Sequence, residues 1–241
     1  MSQNANAVNT QIDANRTVVF CGKRYFLSSL HPSHIVSEGR TFQSVEHLYQ
    51  YWKVLTLAGK EAAEEYFISV GNITEVKKVV KRVLFEYGVT QKETREWRQK
   101  RGPIVLYYAN ALKFLQHAKL GEGLLNTEQK LLVQAYPFDD FFSAGLEVEE
   151  VRQWLEENNG HIVKFSLDIG NSEALMSSDK IANGYNVLGV TLMKLRGALN
   201  DLKNGNLGDP IVSRALKSTQ QEDNKNFSPM QEPEGDPDSS D

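Results

Sequence analysis

Between about residue 44 and residue 203, apolar side chains recur mostly three and four positions apart, the period of a helix with one buried face. In residues 45–56, Val45, Leu48, Tyr49, Trp52 and Leu55 fall on one arc, and Ser44 stands ahead of them as an N-cap. Ile73, Val76, Val79, Val80, Val83, Leu84 and Tyr87 repeat the pattern behind Asn72, with Glu75 at the spacing of a capping box. Thr90 and Glu93 give the same signature ahead of Trp97. Further helical patterns run from Pro103 to His117, over 147–158 to a stop at Gly160, and over about 186–203 to a last stop at Gly205. Strand alternation is confined to Val163, Phe165, Leu167 and Ile169, and to residues 17–27, TVVFCGKRYFL, which read as a hairpin around Gly22 and Lys23. SSLHPSHIVSEGRTF, punctuated by Pro32 and Gly39, reads as a loop. The pattern predicts a mainly α fold with a few short β-strands, in one compact helical domain and without internal repeats.

The ends read differently. Residues 1–17 hold too little apolar surface to offset the entropy of ordering, and 206–241 are dominated by Pro, Gly, Ser, Asp and Glu. Both are expected to be disordered, which leaves a folded body at 18–205. The net charge of the 241-residue chain, -4, comes largely from the C-terminal tail, so it says little about what the body binds. That acidic tail is a candidate for recruiting other proteins. Cys21 is the single cysteine, which excludes an intramolecular disulfide and fits a reducing compartment. No apolar run approaches the roughly 20 residues of a membrane span, and the polar N-terminus lacks a signal peptide's apolar segment. A soluble cytoplasmic protein is expected, with the nucleus also compatible.

The helix beginning in TFQSVEHLYQYWK, residues 41–53, carries a polar row beside its buried arc. Glu46 and Lys53 are seven residues apart, hence within about 20° of each other, and Gln50 lies between them. A carboxylate, an amide and an ammonium at the lip of a core can face a cleft. A simpler account also exists, since a glutamate in a first turn complements the helix dipole, typically by about 0.3–1 kcal/mol.

Four blocks resemble the NADAR (YbiA-like) family, in family order over about 20–200. The first is FLSSLHPSHIVSEGRTFQSVEHLYQYWK, and the second is Trp97 followed by ANALKFLQH. The third and fourth are LLNTEQKLLVQAYPFDDFFSAG and GYNVLGVTLMKLRGAL. The resemblance implies a compact, mainly helical fold and cleavage of N-glycosidic bonds to ribose. The implied substrates are ribosylamino-pyrimidine intermediates of riboflavin synthesis, or ADP-ribose on a nucleobase such as guanine, free or attached to nucleic acid. It puts the catalytic glutamate on Glu46, the helix lysine on Lys53, the site tryptophan on Trp97 and a second acidic residue on Asp139. Three departures from the family pattern stand out: Ser29 in place of Asn, Phe142-Ser143 in place of Trp-Gly, and an insertion at about 146–181 that could lid, reshape or block the site.

Cleaving a ribosyl C–N bond develops oxocarbenium-like charge, which a carboxylate can stabilise or exploit by activating water while an acid helps the base depart. Glu46 is expected to orient or deprotonate water, with Asp139 (or Asp140 beside it) gripping ribose hydroxyls or sharing the acid–base work. Trp97 and Phe142 are candidates to sandwich a base, Lys53 and Arg40 to neutralise a phosphate. Gln50 and Ser29 are further candidate contacts, and Asn186 could approach ribose. Trp97, Phe142 and Asn186 each also fit a packing or capping role, and Asp139 a turn. A module that binds ADP-ribose or NAD derivatives without turnover is the alternative function. His31, His34, His47 and Cys21 have no zinc spacing, so neither metal nor cofactor is expected. KKVVKR, residues 77–82, reads as the solvated face of an amphipathic helix.

Overall fold

A computed structural model describes residues 7–226. Helices dominate it: α1 (Val45–Ser69), α2 (Val76–Glu86), α3 (Gln91–Lys100), α4 (Gly102–Gln116), α5 (Ala118–Leu125), α6 (Val148–Glu157), α7 (Ser172–Met176), α8 (Val187–Lys203) and α9 (Pro210–Asn226). Six short strands, β1 (Ala7–Gln11), β2 (Thr17–Phe20), β3 (Ile35–Ser37), β4 (Arg40–Phe42), β5 (Leu131–Gln134) and β6 (Ile162–Ser166), form three two-stranded sheets. The fold is mainly α in a single compact domain, as the apolar periodicity predicts.

The axis of the core is α4, buried nearly all round through Tyr107, Ala109, Ala111, Leu112 and Phe114. A helix buried on nearly every side is stable only when surrounded, and α1, α8 and α9 pack against it. Ser44 caps α1 by accepting from the His47 amide, and Thr90 with Glu93 closes a full capping box on α3. Gly59 interrupts α1 at φ 88°, a left-handed conformation that a side chain would strain.

Several local expectations are corrected. Residues 17–27 do not fold as a hairpin: β2 pairs in parallel with β5, Thr17 opposite Leu131. The loop after it contains a true hairpin, β3–β4, turned at Glu38 and Gly39, both at positive φ. Part of the arm expected to be disordered, residues 7–16, is ordered. There β1 pairs antiparallel with β6, and Ile12 is sealed between Gly160 and His161 by backbone bonds of 2.8 Å each. Residues 210–226 of the expected tail form α9, which buries Val212 and Ala215. Asp209 secures its start by accepting from the Ile211 and Val212 amides at 2.9 and 3.0 Å and from the Tyr107 hydroxyl at 2.8 Å. The remaining terminal expectations, for 1–6 and 227–241, lie outside the described residues.

The segment at 146–181 joins the N-terminal strand in a second apolar cluster, with Val151, Leu155, Val163 and Phe165 packed on Ile12, Leu131 and Val133. It buttresses β5 through Leu131 and Val133.

Candidate active site

A cleft of about 260 Å³ opens where the first turns of α1 face α3 and the loop after β5. One wall is the polar row of α1: Glu46, Tyr49, Gln50 and Lys53. The opposite wall comprises Thr94 and Arg98 of α3 with Gln134, Tyr136, Asp139 and Phe142. Cys21, Gly22, Ser28, Ser29 and Leu30 form one end, and Lys77 of α2 stands at the rim. Three cationic side chains, Lys53, Lys77 and Arg98, thus share the lining with two carboxylates, Glu46 and Asp139.

Glu46 is held from two directions. Its amide donates to the Ser29 carbonyl at 2.9 Å, and its carboxylate accepts from Gln50 Nε2 at 2.9 Å. Gln50 is buried, and its own Oε1 finds no hydrogen-bond partner among the described residues. A buried acceptor left open beside a carboxylate is costly unless water or a ligand donor completes it. Burial lowers the Lys53 ammonium to about 8, against the attraction of Glu46 and with the repulsion of Arg98 and Lys77. The Tyr49 phenol is pushed upward by burial first, then by Glu46, so it stays a neutral donor.

Asp139 is tied to its own loop and to Arg98 through one oxygen. Its Oδ1 accepts from the amides of Phe141 and Phe142 at 3.0 and 2.8 Å and also pairs with Arg98. The Arg98 guanidinium lies over the Phe142 ring, 4.9 Å from its centroid. Ser143 donates to the carbonyls of Tyr136 and Asp139, so the departure from Gly at this position ties the loop together. At the other end, buried Lys113 donates to the carbonyls of Phe26 and Ser28, fixing the strand of chain that leads into Ser29.

The structure therefore gathers Glu46, Gln50, Lys53, Ser29, Asp139 and Phe142 around one cleft. Three expected contacts are corrected. Trp97 is 4% exposed and packs edge-on against Tyr49, 5.3 Å between centroids, so it supports the wall from behind instead of stacking on a ligand. Arg40 pairs with Glu64 and lies over Tyr51 and Phe67, away from the cleft. Asn186 is buried at the start of α8, where its amide bridges the Gln134 amide and the Leu132 carbonyl of β5. No residue of 146–181 lines the cleft, so that segment does not cover it.

Sequence reasoning missed Arg98, Lys77, Tyr136 and Gln134. Lys77 belongs to the run read as solvated, and it is exposed, yet its ammonium sits 5.1 Å from the Tyr136 ring at the rim. Only the three-dimensional meeting of α2 with the loop after β5 reveals it. Among the described residues, no group of three or more His, Cys, Asp or Glu side chains could hold a metal ion, and no helix is long and apolar enough to cross a membrane.

The domain is small and mainly helical, and one cleft gathers a half-buried glutamate, a lysine lowered by burial and an arginine. Residues 13–200 match the NADAR domain, and the chain belongs to the NADAR family, which is associated with N-glycosidase activity. The solution NMR structure of the Escherichia coli protein YbiA is similar in fold, with a TM-score of 0.53 at 21% identity, over 84% of this chain and 93% of that one. Among curated proteins, none matches this chain.

Proposed function

We propose that the protein hydrolyses the N-glycosidic bond between ribose and a base. ADP-ribose on a nucleobase is the first substrate class and a ribosylamino-pyrimidine phosphate the second. The observation that carries this reading is Glu46: a half-buried carboxylate steered by Gln50 and flanked by Lys53 and Arg98. Developing positive charge at C1′ is stabilised by a carboxylate at that position, which also orients the attacking water.

The open Oε1 of Gln50 suits a ribose hydroxyl. Lys53 has the proton affinity of a donor that can protonate a departing amine near neutral pH. Arg98 supplies charge for a phosphate while its pairing with Asp139 fixes its direction. Asp139, whose Oδ1 is held by Arg98 and two backbone amides, serves here as a positioning residue rather than gripping ribose hydroxyls or sharing the acid–base work expected of it.

Chromatography of ADP-ribosylated guanine and of ribosylamino-pyrimidine phosphates after incubation with wild type and Glu46→Ala tests the reading. Release of a free base by wild type and not by the variant is expected. If wild type releases no base from either class, the glycosidase reading is wrong. Calorimetric binding of ADP-ribose in that case would favour the turnover-free module.

A further inference from the structure

A second cavity, of about 240 Å³, adjoins the first and shares three of its lining residues, Leu30, Glu46 and Lys77. Its other walls are Ile73, Thr74, Val76 and Lys23. Each chamber alone falls below the roughly 300 Å³ at which small-molecule sites usually begin. Glu46 stands on the boundary between them, where a bond joining two halves of a ligand would lie.

The chambers differ in chemistry. The first is lined by Lys53, Arg98, Gln50 and Gln134, groups that recognise phosphate and hydroxyls. The second is walled mainly by the apolar side chains of Leu30, Ile73 and Val76, with a threonine hydroxyl and two lysines at its margin. An apolar slot with few polar groups fits a flat heterocycle better than a charged sugar phosphate.

Its outer wall is also held in shape. Glu75 accepts from the amides of Gly71 and Asn72 at 3.2 and 3.3 Å, and Asn72 accepts from the Thr74 amide at 2.9 Å. Gln43 Nε2, just before α1, donates to the Gly71 carbonyl at 3.2 Å. The loop carrying Ile73 and Thr74 is thereby anchored to the segment that leads into Glu46.

We infer that the chamber formed by Leu30, Ile73, Thr74 and Val76 receives the leaving base, while the chamber lined by Gln50, Arg98 and Gln134 receives the phosphorylated ribose. This assignment rests on the glycosidase reading for the word "leaving", but its binding content stands apart from turnover. Ile73, half-buried at the slot, becomes the residue that sets base preference. Filling a slot is a direct way to discriminate between ligands that do and do not use it.

The test compares Ile73→Trp, Ile73→Ala and Arg98→Met with wild type, in the full chain and with thermal melts as folding controls. The probes are guanine and hypoxanthine as free bases, and ribose 5-phosphate and ADP-ribose as ribosyl-side ligands, measured by calorimetry and competition. Ile73→Trp is expected to weaken the free bases by about tenfold or more and ribose 5-phosphate by less than about twofold, with Arg98→Met giving the reverse. Should Ile73→Trp not fold, Ile73→Ala carries the test through a changed ranking of the two bases with ribose 5-phosphate unchanged.

The inference is overturned if the free bases do not bind wild type. It is also overturned if the Ile73 variants leave base binding unchanged, or if they weaken ribose 5-phosphate instead. Absence of turnover with the expected binding pattern would remove the glycosidase reading and leave the two-chamber assignment standing.

Discussion

The two walls of the cleft each offer a carboxylate, and the two carboxylates are used differently. Glu46 projects from the first turn of α1 and accepts one side-chain hydrogen bond, from Gln50. Asp139 accepts from two backbone amides and pairs with Arg98 through the same oxygen. The bonds of Asp139 fix its loop and Arg98 through one oxygen, whereas the Glu46 carboxylate keeps most of its acceptor capacity toward the cleft.

The largest effect is expected from Glu46→Gln, which keeps size and the capacity to bond Gln50. Base release should fall by about 10²–10⁴-fold with little change in melting temperature. A fall of less than about tenfold would return Glu46 to the role of a helix-terminal charge.

Lys53 comes next. If its ammonium donates to the departing base, activity should decline as pH rises through about 8, where burial has placed its proton loss. Lys53→Met should cost about a hundredfold, and Lys53→Arg should keep phosphate binding while moving the alkaline limb upward. Stability should respond in the opposite sense. The folded state holds this proton more weakly than the unfolded chain does, so stability rises with pH between about 8 and the ordinary lysine value of about 10.4. Lys113, lowered by burial to about 7, adds a slope of the same sign from lower pH. Urea melts of Lys53→Met across this range should show a shallower rise than wild type, and an unchanged slope would contradict the burial of Lys53.

Asp139→Ala should act mainly on the fold of its loop. Losing a charged acceptor for two amides and Arg98 should cost about 1–3 kcal/mol in denaturant melts. It should raise the KM for a phosphorylated substrate more than it lowers kcat, because Arg98 loses its direction. The smallest effect is expected at Arg40, whose Arg40→Met variant should alter stability slightly and turnover by less than about twofold.

The near wall was legible in the sequence because it is local. Glu46, Gln50 and Lys53 line up through helix period alone, and Ser44, Thr90 and Glu93 announce their helices by side-chain chemistry. The far wall was not, because its parts come from distant segments: Lys77, Arg98 and Tyr136 meet only after α2, α3 and the loop beyond β5 have docked.

The same distinction explains the strands. β1 has no local signature of pairing, since its partner β6 lies some 150 positions away, at Gln11 opposite Ile162. Residues 17–27 look like a hairpin locally, yet β2 finds Leu131–Gln134 in parallel, a choice governed by long-range burial. The start of α9 did carry a readable signal, since Asp209 before Pro210 is a cap followed by a favoured first helical residue, with Val212 and Ala215 at helical spacing. The polar composition of the residues around it hid that short run.

Trp97 and Arg40 teach a related point. Both types are apt for ligands, but Trp97 is spent packing Tyr49 and Arg40 is spent on Glu64. Residue type suggested a contact, and burial and pairing decided against it.

The most direct measurement is a single-turnover comparison of base release by wild type, Glu46→Gln and Asp139→Asn on ADP-ribosylated guanine. Near-complete loss of the chemical step is expected in Glu46→Gln, and a rate within about tenfold of wild type in Asp139→Asn at saturating substrate. Loss of the chemical step in Asp139→Asn with Glu46→Gln still active would contradict that expectation.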